Sequence, residues 1–335
     1  MKLHLVIPCF NEEASLPTTI SRLTEYLDEL IDRRIVAPGS QITFVDDGSS
    51  DATWSIIECA SSGNAFVSGI KLSRNRGHQS ALLAGLLTVD GDIVASLDAD
   101  LQDDVSVIEE MIAAATSGYD IVVGVRVDRS SDSIFKRTTA RLFYRLLPVL
   151  GVQSVPGHAD YRLMTRRAIE ALRQYPEVNL FLRGLVPLIG FRTKTVQYRR
   201  LPRLQGTTKY SLRKMIALAI EAVTSFSTVP LQFVGILGLV IFLGTMAVSA
   251  WAAWIRIFTD SAVPGWASTV LPLYFLGGVQ LLGIGVLGVY LGKIYQEVKR
   301  RPRYIVEQTI GLESESRVGD IDRPSGRFVK TLESQ

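Results

Sequence analysis

The chain has 335 residues, of which 47% are hydrophobic, with a formal net charge of +3 and a mean hydropathy of +0.22. So small a net charge gives no reason to expect a nucleic-acid partner, and the two cysteines, Cys9 and Cys59, form no disulfide or metal-binding pattern. The hydrophobic excess lies in residues 222–292, whereas the sequence up to Leu212 is typical of an α/β protein. The apolar run at the N-terminus is too short for a signal peptide, so we expect this part to stay in the cytoplasm.

Apolar runs and helical patterns alternate along the first part of the chain. Buried strands are predicted at 3–7, 40–45, 65–72, 92–97 and 120–125, with Pro8 ending the first of them. Helices are predicted at 13–30, 79–89 and 105–116, and another after the acidic segment 46–51. Strands that alternate with helices at this spacing predict right-handed crossovers and a mostly parallel sheet.

Polar residues follow the predicted strands at the point where each strand ends. They are Asn11, Asp46, Asp47, Arg74, Arg76, Asp98, Asp100 and Arg126. Ligands of parallel α/β sheets bind at the carboxyl ends of the strands, so acids and bases gathered there favour a nucleotide with a cation. No G-x-G-x-x-G follows the first strand and no G-x-x-x-x-G-K-[ST] occurs, which argues against a dinucleotide enzyme or a P-loop NTPase.

Asp98 and Asp100 are two residues apart at the end of the fourth predicted strand. On an extended backbone, side chains two residues apart leave on the same side, so both carboxylates would face one point. Oxygen ligands placed in this way suit Mg²⁺ or Mn²⁺ that also binds phosphate oxygens. For these two residues taken alone, a solvated acidic turn is the alternative.

Two segments combine an apolar helical face with basic residues. In the predicted helix 133–150, Arg137 and Arg141 lie four residues apart on a basic stripe. The segment 209–226 has the same design and begins with Lys209. A basic amphipathic helix directly before a membrane span is typical of the lipid headgroup layer. A solvated basic face is the alternative for the first segment.

Two apolar stretches, 231–254 and 271–292, are each long enough to cross about 30 Å of hydrocarbon. Basic residues precede the first and follow the second, so the positive-inside rule predicts that both chain ends are cytoplasmic. The glycines of the second stretch predict close packing against the first stretch or against a second copy of the chain. Neither stretch contains a charged residue, which argues against a transport path in this hairpin and favours an anchor.

Several segments of the chain carry a family resemblance. The motifs at 6–13, 45–51, 74–78 and 97–103 occur in the order found in family 2 glycosyltransferases, which have the GT-A fold. The later segments 160–164 and 205–210, together with the two apolar stretches, resemble the polyisoprenyl-phosphate glycosyltransferases. That branch contains dolichol-phosphate mannose synthases and bacterial undecaprenyl-phosphate glucosyl- and aminoarabinosyl-transferases. The resemblance implies a GT-A (Rossmann-like) α/β domain with interfacial amphipathic helices and a two-helix transmembrane hairpin.

The resemblance assigns roles at the donor side of the reaction. The residues implied in nucleotide-sugar binding are Pro8, Asn11, Glu13, Asp47, Asp98 and Arg126. Asp98, Asp100 and Gln102 match the family's metal-binding D-x-D-x-Q, so a Mg²⁺ or Mn²⁺ cofactor is implied. An ordinary surface arginine is the alternative for Arg126.

The resemblance also assigns the acceptor side. Arg203 and Lys209 match the family's R-x-x-G-x-S/T-K loop, and cations beside a glycine suit a lipid phosphate. Arg137 and Arg141 are further candidates for that phosphate. Asp160, which with Asp100 forms the implied catalytic pair, matches the acid often assigned as catalytic base. That role stays open, because a phosphomonoester with a second pKa near 6 is already largely a dianion at neutral pH.

We therefore expect four regions: a cytoplasmic catalytic domain (1–208), an interfacial helix (209–228), a transmembrane hairpin (229–294) and a cytoplasmic tail (295–335). Little fixed structure is expected beyond Glu313. The expected location is the cell (inner) membrane, with the catalytic domain and both termini on the cytoplasmic side.

The expected reaction is the inverting transfer of one sugar from a nucleotide diphosphate to a polyprenyl phosphate. UDP-glucose is the first choice of donor, and a UDP-linked amino-arabinose derivative or GDP-mannose are the alternatives. A processive polysaccharide synthase of this fold would carry Q-x-x-R-W and more spans, and the sequence has neither. A non-catalytic lipid-carrier flippase or scaffold is the alternative from another class, and the intact metal ligands and the charge-free hairpin argue against it.

Overall fold

A computed structural model describes residues 1–126, 158–178, 182–198, 224, 227–258 and 266–312. The described residues fall into two compact units. The first lies within Met1–Ser133, Val155–Lys209 and Arg301–Gln335, and the second within Ile134–Ser154 and Tyr210–Arg300. The predicted helix 133–150, most of the predicted helix 209–226 and the tail from Glu313 lie outside the described residues.

The first unit begins with the predicted alternation of strands and helices. Its elements are β1 (Leu3–Cys9), α1 (Leu16–Asp32), β2 (Gln41–Asp46), α2 (Thr53–Gly63), β3 (Val67–Leu72), α3 (His78–Thr88), β4 (Ile93–Ser96), α4 (Val107–Thr116) and β5 (Ile121–Arg126). Five further elements were not predicted. They are β6 (His158–Thr165), α5 (Arg166–Arg173), α6 (Leu182–Leu188), β7 (Thr193–Tyr198) and β8 (Val306–Ile310).

The eight strands form one sheet in the order β7-β5-β6-β4-β1-β2-β3-β8. The pairs β1–β2, β1–β4, β2–β3 and β5–β7 are parallel, which confirms the predicted mostly parallel α/β sheet. β6 is antiparallel to both of its neighbours, with Arg162 opposite Ser96 of β4 and His158 opposite Val125 of β5. The start of β6 therefore lies beside the carboxyl ends of β4 and β5.

Helices cover the sheet and form the core with it. α1 has a periodic apolar face, and its residues Leu16, Leu23, Leu27 and Leu30 are all 0% exposed. Every residue of β1 and β2 is buried, as expected for strands covered on both faces. Burial of each such leucine stabilises the fold by about 2 kcal/mol, and this rigid sheet holds the loops at its carboxyl edge.

Pro8 does not end the first strand, contrary to the prediction. β1 continues to Cys9, and Pro8 is in register with Val45 of β2. The Val6 carbonyl faces the β4 side of β1, where it accepts from Leu97 N at 3.3 Å. Backbone groups two residues apart in a strand face the same side, so the Pro8 nitrogen also faces the β4 side. The pairing of β1 with β4 ends at Val6. The missing N–H of Pro8 therefore faces a position where no neighbouring strand would accept a hydrogen bond from it.

The last described strand, β8, lies in the segment that was expected to be a tail. It pairs antiparallel with β3 at the edge of the sheet. Gly311 follows it with a φ of +68°, and a Cβ there would lie 2.6 Å from Ser61 Oγ and 2.8 Å from the carbonyl oxygen of Val67. Only glycine fits this turn, which seats the segment against the sheet.

The second unit contains two long apolar helices, α7 (Val229–Phe258) and α8 (Trp266–Lys299). By length and composition, Val229–Val248 and Phe275–Lys299 could each cross a membrane. Both helices extend beyond the predicted stretches, because a helix continues into polar residues such as Lys299 whereas the prediction followed hydropathy alone. Large apolar side chains on both helices are mostly exposed, for example Ile236 at 63% and Leu281 at 71%.

Candidate active site

The loop after β1 is tied to the loop after β2 by hydrogen bonds. Asn11 has a φ of +54°; its Oδ1 accepts from Ser50 N at 2.9 Å, and its own N–H donates to Ser49 Oγ at 3.0 Å. Glu13 Oε2 accepts from Ala52 N at 3.0 Å, at the start of α2. The structure therefore brings two of the predicted nucleotide-binding residues together and gives both a part in shaping the loops.

Asp47 organises the loop after β3. The side chain is 2% exposed, and its two oxygens accept from Arg76 N at 2.7 Å and from Gly77 N at 2.8 Å. Burial raises the pKa of Asp47, and the two backbone N–H donors act against that rise. Asp47 lies at the carboxyl edge as predicted, and its first neighbours there are backbone donors of segment 74–78.

Gly48 permits the close approach of these two loops. Its φ is +67°, and a Cβ would lie 2.6 Å from both Arg74 C and Asn75 N. We expect Gly48→Ala to lower the free energy of unfolding by about 1–3 kcal/mol, because backbone atoms cannot move aside and the conformation is strained for alanine. Thermal unfolding monitored by circular dichroism checks this. Gly63→Ala is the control: a Cβ there meets nothing within 4 Å, so stability should be unchanged or slightly raised.

Asp98 and Asp100 lie in a turn after β4, not on an extended strand as predicted. β4 ends at Ser96, and Leu101 N approaches the Asp98 carbonyl at 3.4 Å. Leu101 has a φ of +49° although it is 3% exposed and not glycine. Left-handed backbone at a bulky residue is strained and is found most often at functional sites. The anchored Leu101 side chain thus holds this turn, residues 98–103, in place; it is called the acidic turn below.

The acidic turn offers oxygen ligands of the kind that a divalent cation takes. Asp98 is 34% exposed, Asp100 is half-buried, and Gln102 is 4% exposed. No group of three or more His, Cys, Asp or Glu side chains could hold a metal ion within the part of the chain that the structure describes. Mg²⁺ commonly uses one or two carboxylates and takes its other ligands from water and substrate phosphates. The donor set fits a cation of that kind, bound together with a phosphate.

Arg126 ends β5 close to the acidic turn, as predicted. Its Nε donates to Tyr198 Oη at 2.9 Å, and its Nη2 donates to Asp103 Oδ1 at 3.3 Å. Nη2 also lies 4.0 Å from Asp98 Oδ2. Burial acts against the charge of Arg126, but Tyr198 and Asp103 outweigh it and raise its pKa. The arrangement presents a fixed cation beside Asp98.

Asp160 accepts hydrogen bonds from three elements. Arg162 of β6 donates to Oδ1 at 2.5 Å, and Arg183 of α6 donates to Oδ2 at 2.9 Å. Gln79 of α3 donates to Oδ2 at 3.2 Å and accepts from Leu182 N at 3.1 Å. Asp160 thus joins α3, β6 and α6 at the carboxyl edge.

The charges around Asp160 determine its protonation state. Burial alone would raise the pKa of Asp160, but the hydrogen bond from His78 and the charges of Arg162 and Arg183 hold it well below the ordinary value. Arg162 is 0% exposed, so its charge in turn depends on Asp160. A carboxylate held in this way stays ionised and is a weak base.

His78 lies between the carboxylates of Asp98 and Asp160. Its Nε2 lies 3.5 Å from Asp160 Oδ2 and 3.7 Å from Asp98 Oδ1. Burial disfavours the protonated imidazole, but the two carboxylates outweigh burial and raise the pKa of His78. Acidic and basic side chains therefore alternate along the carboxyl edge, in the order Asp98, His78, Asp160 and Arg183.

Sequence reasoning missed several of these residues. The missed residues are His78, Gln79, Asp103, Arg183 and Tyr198. His78 belongs to the segment 74–78 that carried the resemblance, so its position was available as a signal. Nothing in the local sequence marked Arg183 or Tyr198, because the tertiary fold alone brings them to the edge. The predicted acceptor residues Arg137, Arg141, Arg203 and Lys209 lie outside the described residues.

Comparisons with known proteins find relatives along nearly the whole chain. YkoT of Bacillus subtilis (strain 168), an uncharacterized glycosyltransferase, is 49% identical over 307 residues, which is 91% of each chain. A protein of Escherichia coli (strain K12) named prophage bactoprenol glucosyl transferase homolog is 39% identical, covering 92% of this chain and 99% of its own. Glucosyl-3-phosphoglycerate synthase from Mycobacterium tuberculosis has a solved structure that matches 67% of this chain and 78% of its own, at 18% identity with a TM-score of 0.44.

The family model for glycosyl transferase family 2 matches residues 4–173, a stretch that runs from β1 to the end of α5. That stretch contains the acidic turn, Arg126 and Asp160. With this match and the similarity of the two bacterial relatives along nearly their whole length, the chain belongs to glycosyl transferase family 2 and is a glycosyltransferase.

Proposed function

We propose that this glycosyltransferase moves glucose from UDP-glucose to a polyprenyl phosphate, with inversion at the anomeric carbon. The observation that carries the proposal is the 39% identity, over 92% of the chain, to a protein named prophage bactoprenol glucosyl transferase homolog. The acidic turn beside Arg126 supports a nucleotide-diphosphate donor. The two long apolar helices support a lipid acceptor.

The donor is proposed to bind across the carboxyl edge from β2 to β5. Pro8, Asn11, Glu13 and Asp47 line the nucleotide end, and Arg126 with Asp98 lies at the diphosphate. Asp98 and Asp100, with Gln102 as a third candidate, would hold Mg²⁺ or Mn²⁺. When bound, the cation supplies positive charge that stabilises the departing nucleoside diphosphate. Arg126 supplies further positive charge and directional N–H donors from the protein itself.

Asp160 is proposed to organise cations and not to remove a proton. The acceptor phosphate is already largely a dianion at neutral pH, so it needs no base to become a nucleophile. Asp160 instead holds the guanidinium of Arg183 at 2.9 Å and offsets the buried charge of Arg162. Direct in-line attack by the phosphate oxygen, with no covalent enzyme intermediate, gives inversion.

The acceptor is proposed to approach from the cytoplasmic leaflet. Arg137, Arg141, Arg203 and Lys209 are the candidate ligands of its phosphate, since cations near the membrane surface suit that group. Basic residues flank the apolar helices at their outer ends, so the positive-inside rule favours a cytoplasmic catalytic unit and cytoplasmic termini. The helices α7 and α8 then act as the anchor.

The test is transfer of labelled sugar by the full-length protein in membranes. Labelled UDP-glucose and an added polyprenyl phosphate should yield label in the organic phase, dependent on Mg²⁺ or Mn²⁺. Polyprenol without the phosphate is the matched control and should yield none. A UDP-linked amino-arabinose derivative and GDP-mannose are tested in parallel, and a preference for either would replace glucose. No lipid-linked product with any of the three donors would overturn the proposed transfer to a polyprenyl phosphate.

A further inference from the structure

Tyr198 lies beside Arg126 at the ends of two neighbouring strands. β5 and β7 are parallel, and Arg126 is the register partner of Tyr198. Residues paired in this way project on the same side of the sheet, which brings the phenol to the guanidinium. Asp103 reaches the same point from the loop after β4. Three separate elements therefore meet around one arginine.

The three side chains form a closed triangle of hydrogen bonds. Arg126 Nε donates to Tyr198 Oη at 2.9 Å, Tyr198 Oη donates to Asp103 Oδ1 at 2.6 Å, and Arg126 Nη2 donates to the same oxygen at 3.3 Å. These contacts use one edge of the guanidinium. Among the described residues, the Nη1 hydrogens have no hydrogen-bond acceptor, and the side chain is 28% exposed. The other edge is thus available to a ligand.

Asp103 shows that this triangle is not built for stability alone. The residue is 2% exposed, and its second oxygen, Oδ2, is buried without a hydrogen-bond partner in the part of the chain that the structure describes. A buried carboxylate with one unpaired oxygen is costly, and an apolar group of the same size would stabilise the core better. A charge at this costly position is explained if it has a task, and the cation that Asp103 contacts is Arg126.

We propose that Tyr198 and Asp103 are positioning residues that fix the Arg126 guanidinium for the diphosphate of the nucleotide donor. An arginine side chain has large rotamer freedom, which a ligand must otherwise remove when it binds. The triangle removes that freedom in advance and leaves the Nη1 edge unused by the described residues. The inference rests on the proposed function in one respect, namely that Arg126 contacts the donor.

The test measures binding of UDP with Mg²⁺ to the full-length protein by calorimetry, together with kcat and KM for the sugar donor. Tyr198→Phe should raise the Kd about tenfold, because a hydrogen bond to a charged group is lost. Arg126→Ala should raise it at least as much. The double variant should bind no more weakly than Arg126→Ala alone, since Tyr198 acts through Arg126. Asp103→Asn, which keeps the shape but removes the charge, should also raise the Kd.

Tyr161→Phe is the matched control. Tyr161 is 1% exposed, contacts the Tyr198 ring edge-on at 5.2 Å, and donates its hydroxyl to the Asp104 carbonyl at 2.8 Å. Removing this hydroxyl costs a buried hydrogen bond of similar length without touching Arg126. It should lower the melting temperature as Tyr198→Phe does and leave the Kd for UDP within about twofold.

Additive effects of Tyr198→Phe and Arg126→Ala would overturn the inference, as would equal Kd changes in Tyr198→Phe and Tyr161→Phe. Failure to bind UDP in the unaltered protein would overturn it as well. UDP binding with the expected coupling but no sugar transfer would support the inference while rejecting the proposed function. Sugar transfer by the unaltered protein, with additive effects of Tyr198→Phe and Arg126→Ala on the Kd, would support the proposed function and reject the inference.

Discussion

Replacing Asp100 by alanine is expected to lower the rate of sugar transfer by on the order of 10³-fold. A divalent cation contributes several kcal/mol of charge stabilisation to the transition state, and about 4 kcal/mol corresponds to this factor. Asp100 is one of only two carboxylates of the acidic turn proposed to hold the cation, so its loss leaves Asp98 alone. The measurement is the initial rate of label appearing in polyprenyl-linked product at saturating donor, over a range of Mg²⁺ and Mn²⁺ concentrations.

Asp104→Asn is the control for this variant. Asp104 follows the same turn, but its carboxylate accepts from Ser106 N at 3.0 Å and Ser106 Oγ at 2.7 Å beside the start of α4. Asparagine can make the same local bonds. We expect rate and cation dependence to stay within about twofold of the unaltered protein. Equal losses of rate in Asp100→Ala and Asp104→Asn would mean that the total negative charge of this region, and not a specific cation ligand, determines the rate.

Replacing Asp160 by asparagine is expected to lower the rate by on the order of 10²-fold or more. The asparagine keeps the shape but removes the charge that holds Arg183 and offsets the fully buried Arg162. Electrostatic groups placed in advance have effects of this size when one is removed. Stability should fall as well, by up to about 3–5 kcal/mol, because a buried cation loses its partner. The rate is measured beside thermal unfolding of the same preparation.

The pH dependence separates a positioning role of Asp160 from a base role. The pKa of Asp160 is held well below its ordinary value by His78, Arg162 and Arg183, against the effect of burial. A depressed pKa stabilises the folded state above the unfolded pKa of about 3.9, and this contribution is lost as pH falls through the folded value. Between pH 5 and 8 Asp160 therefore does not titrate. The acceptor phosphate, with a second pKa near 6, should give an acid limb. His78, whose pKa is raised by Asp160 and Asp98, adds a second ionisation.

We expect the acid limb of kcat/KM against pH to keep its slope in Asp160→Asn while the rate falls at every pH. The ionisation of His78 should move to lower pH, because His78 loses one of its two carboxylate neighbours. A slope that is present in the unaltered enzyme and absent in the variant would instead identify Asp160 as a base. Asp120→Asn is the control. Asp120 also accepts a side-chain hydrogen bond, from Thr165 Oγ1 at 3.0 Å. It directly precedes the amino end of β5, away from the carboxyl edge, so activity should be retained.

The strands β1 to β5 of the first unit could be predicted because each is marked by its own local sequence. Each of the strands β1 to β5 is a buried apolar run, and each is followed by a polar loop at the carboxyl edge. Asp47, Asp98, Asp100 and Arg126 were placed at that edge from this pattern alone, and the structure has them there. The error at Pro8 arose because a missing N–H matters only where a neighbouring strand needs it.

The later strands could not be predicted because their local sequences lack the apolar runs that mark β1 to β5. β6 contains Asp160 and Arg162, which local hydropathy assigns to the surface although the fold buries both. The residues of β8 are mostly half-buried or exposed, and its partner β3 lies more than 200 residues earlier in the chain. Pairing of this kind depends on long-range contacts that no local window contains.

The sequence by itself determined the α/β class, the carboxyl-edge position of the donor-side residues, the two apolar helices and the family. Only the tertiary structure decided that β6 enters antiparallel between β4 and β5. That insertion brings Asp160 to the carboxyl edge, where His78 lies between it and Asp98. It also took the fold to bring Arg183 to Asp160 and Tyr198 to Arg126. The physical reason is that hydropathy and spacing record which residues are buried, whereas the strand order decides which buried charges meet.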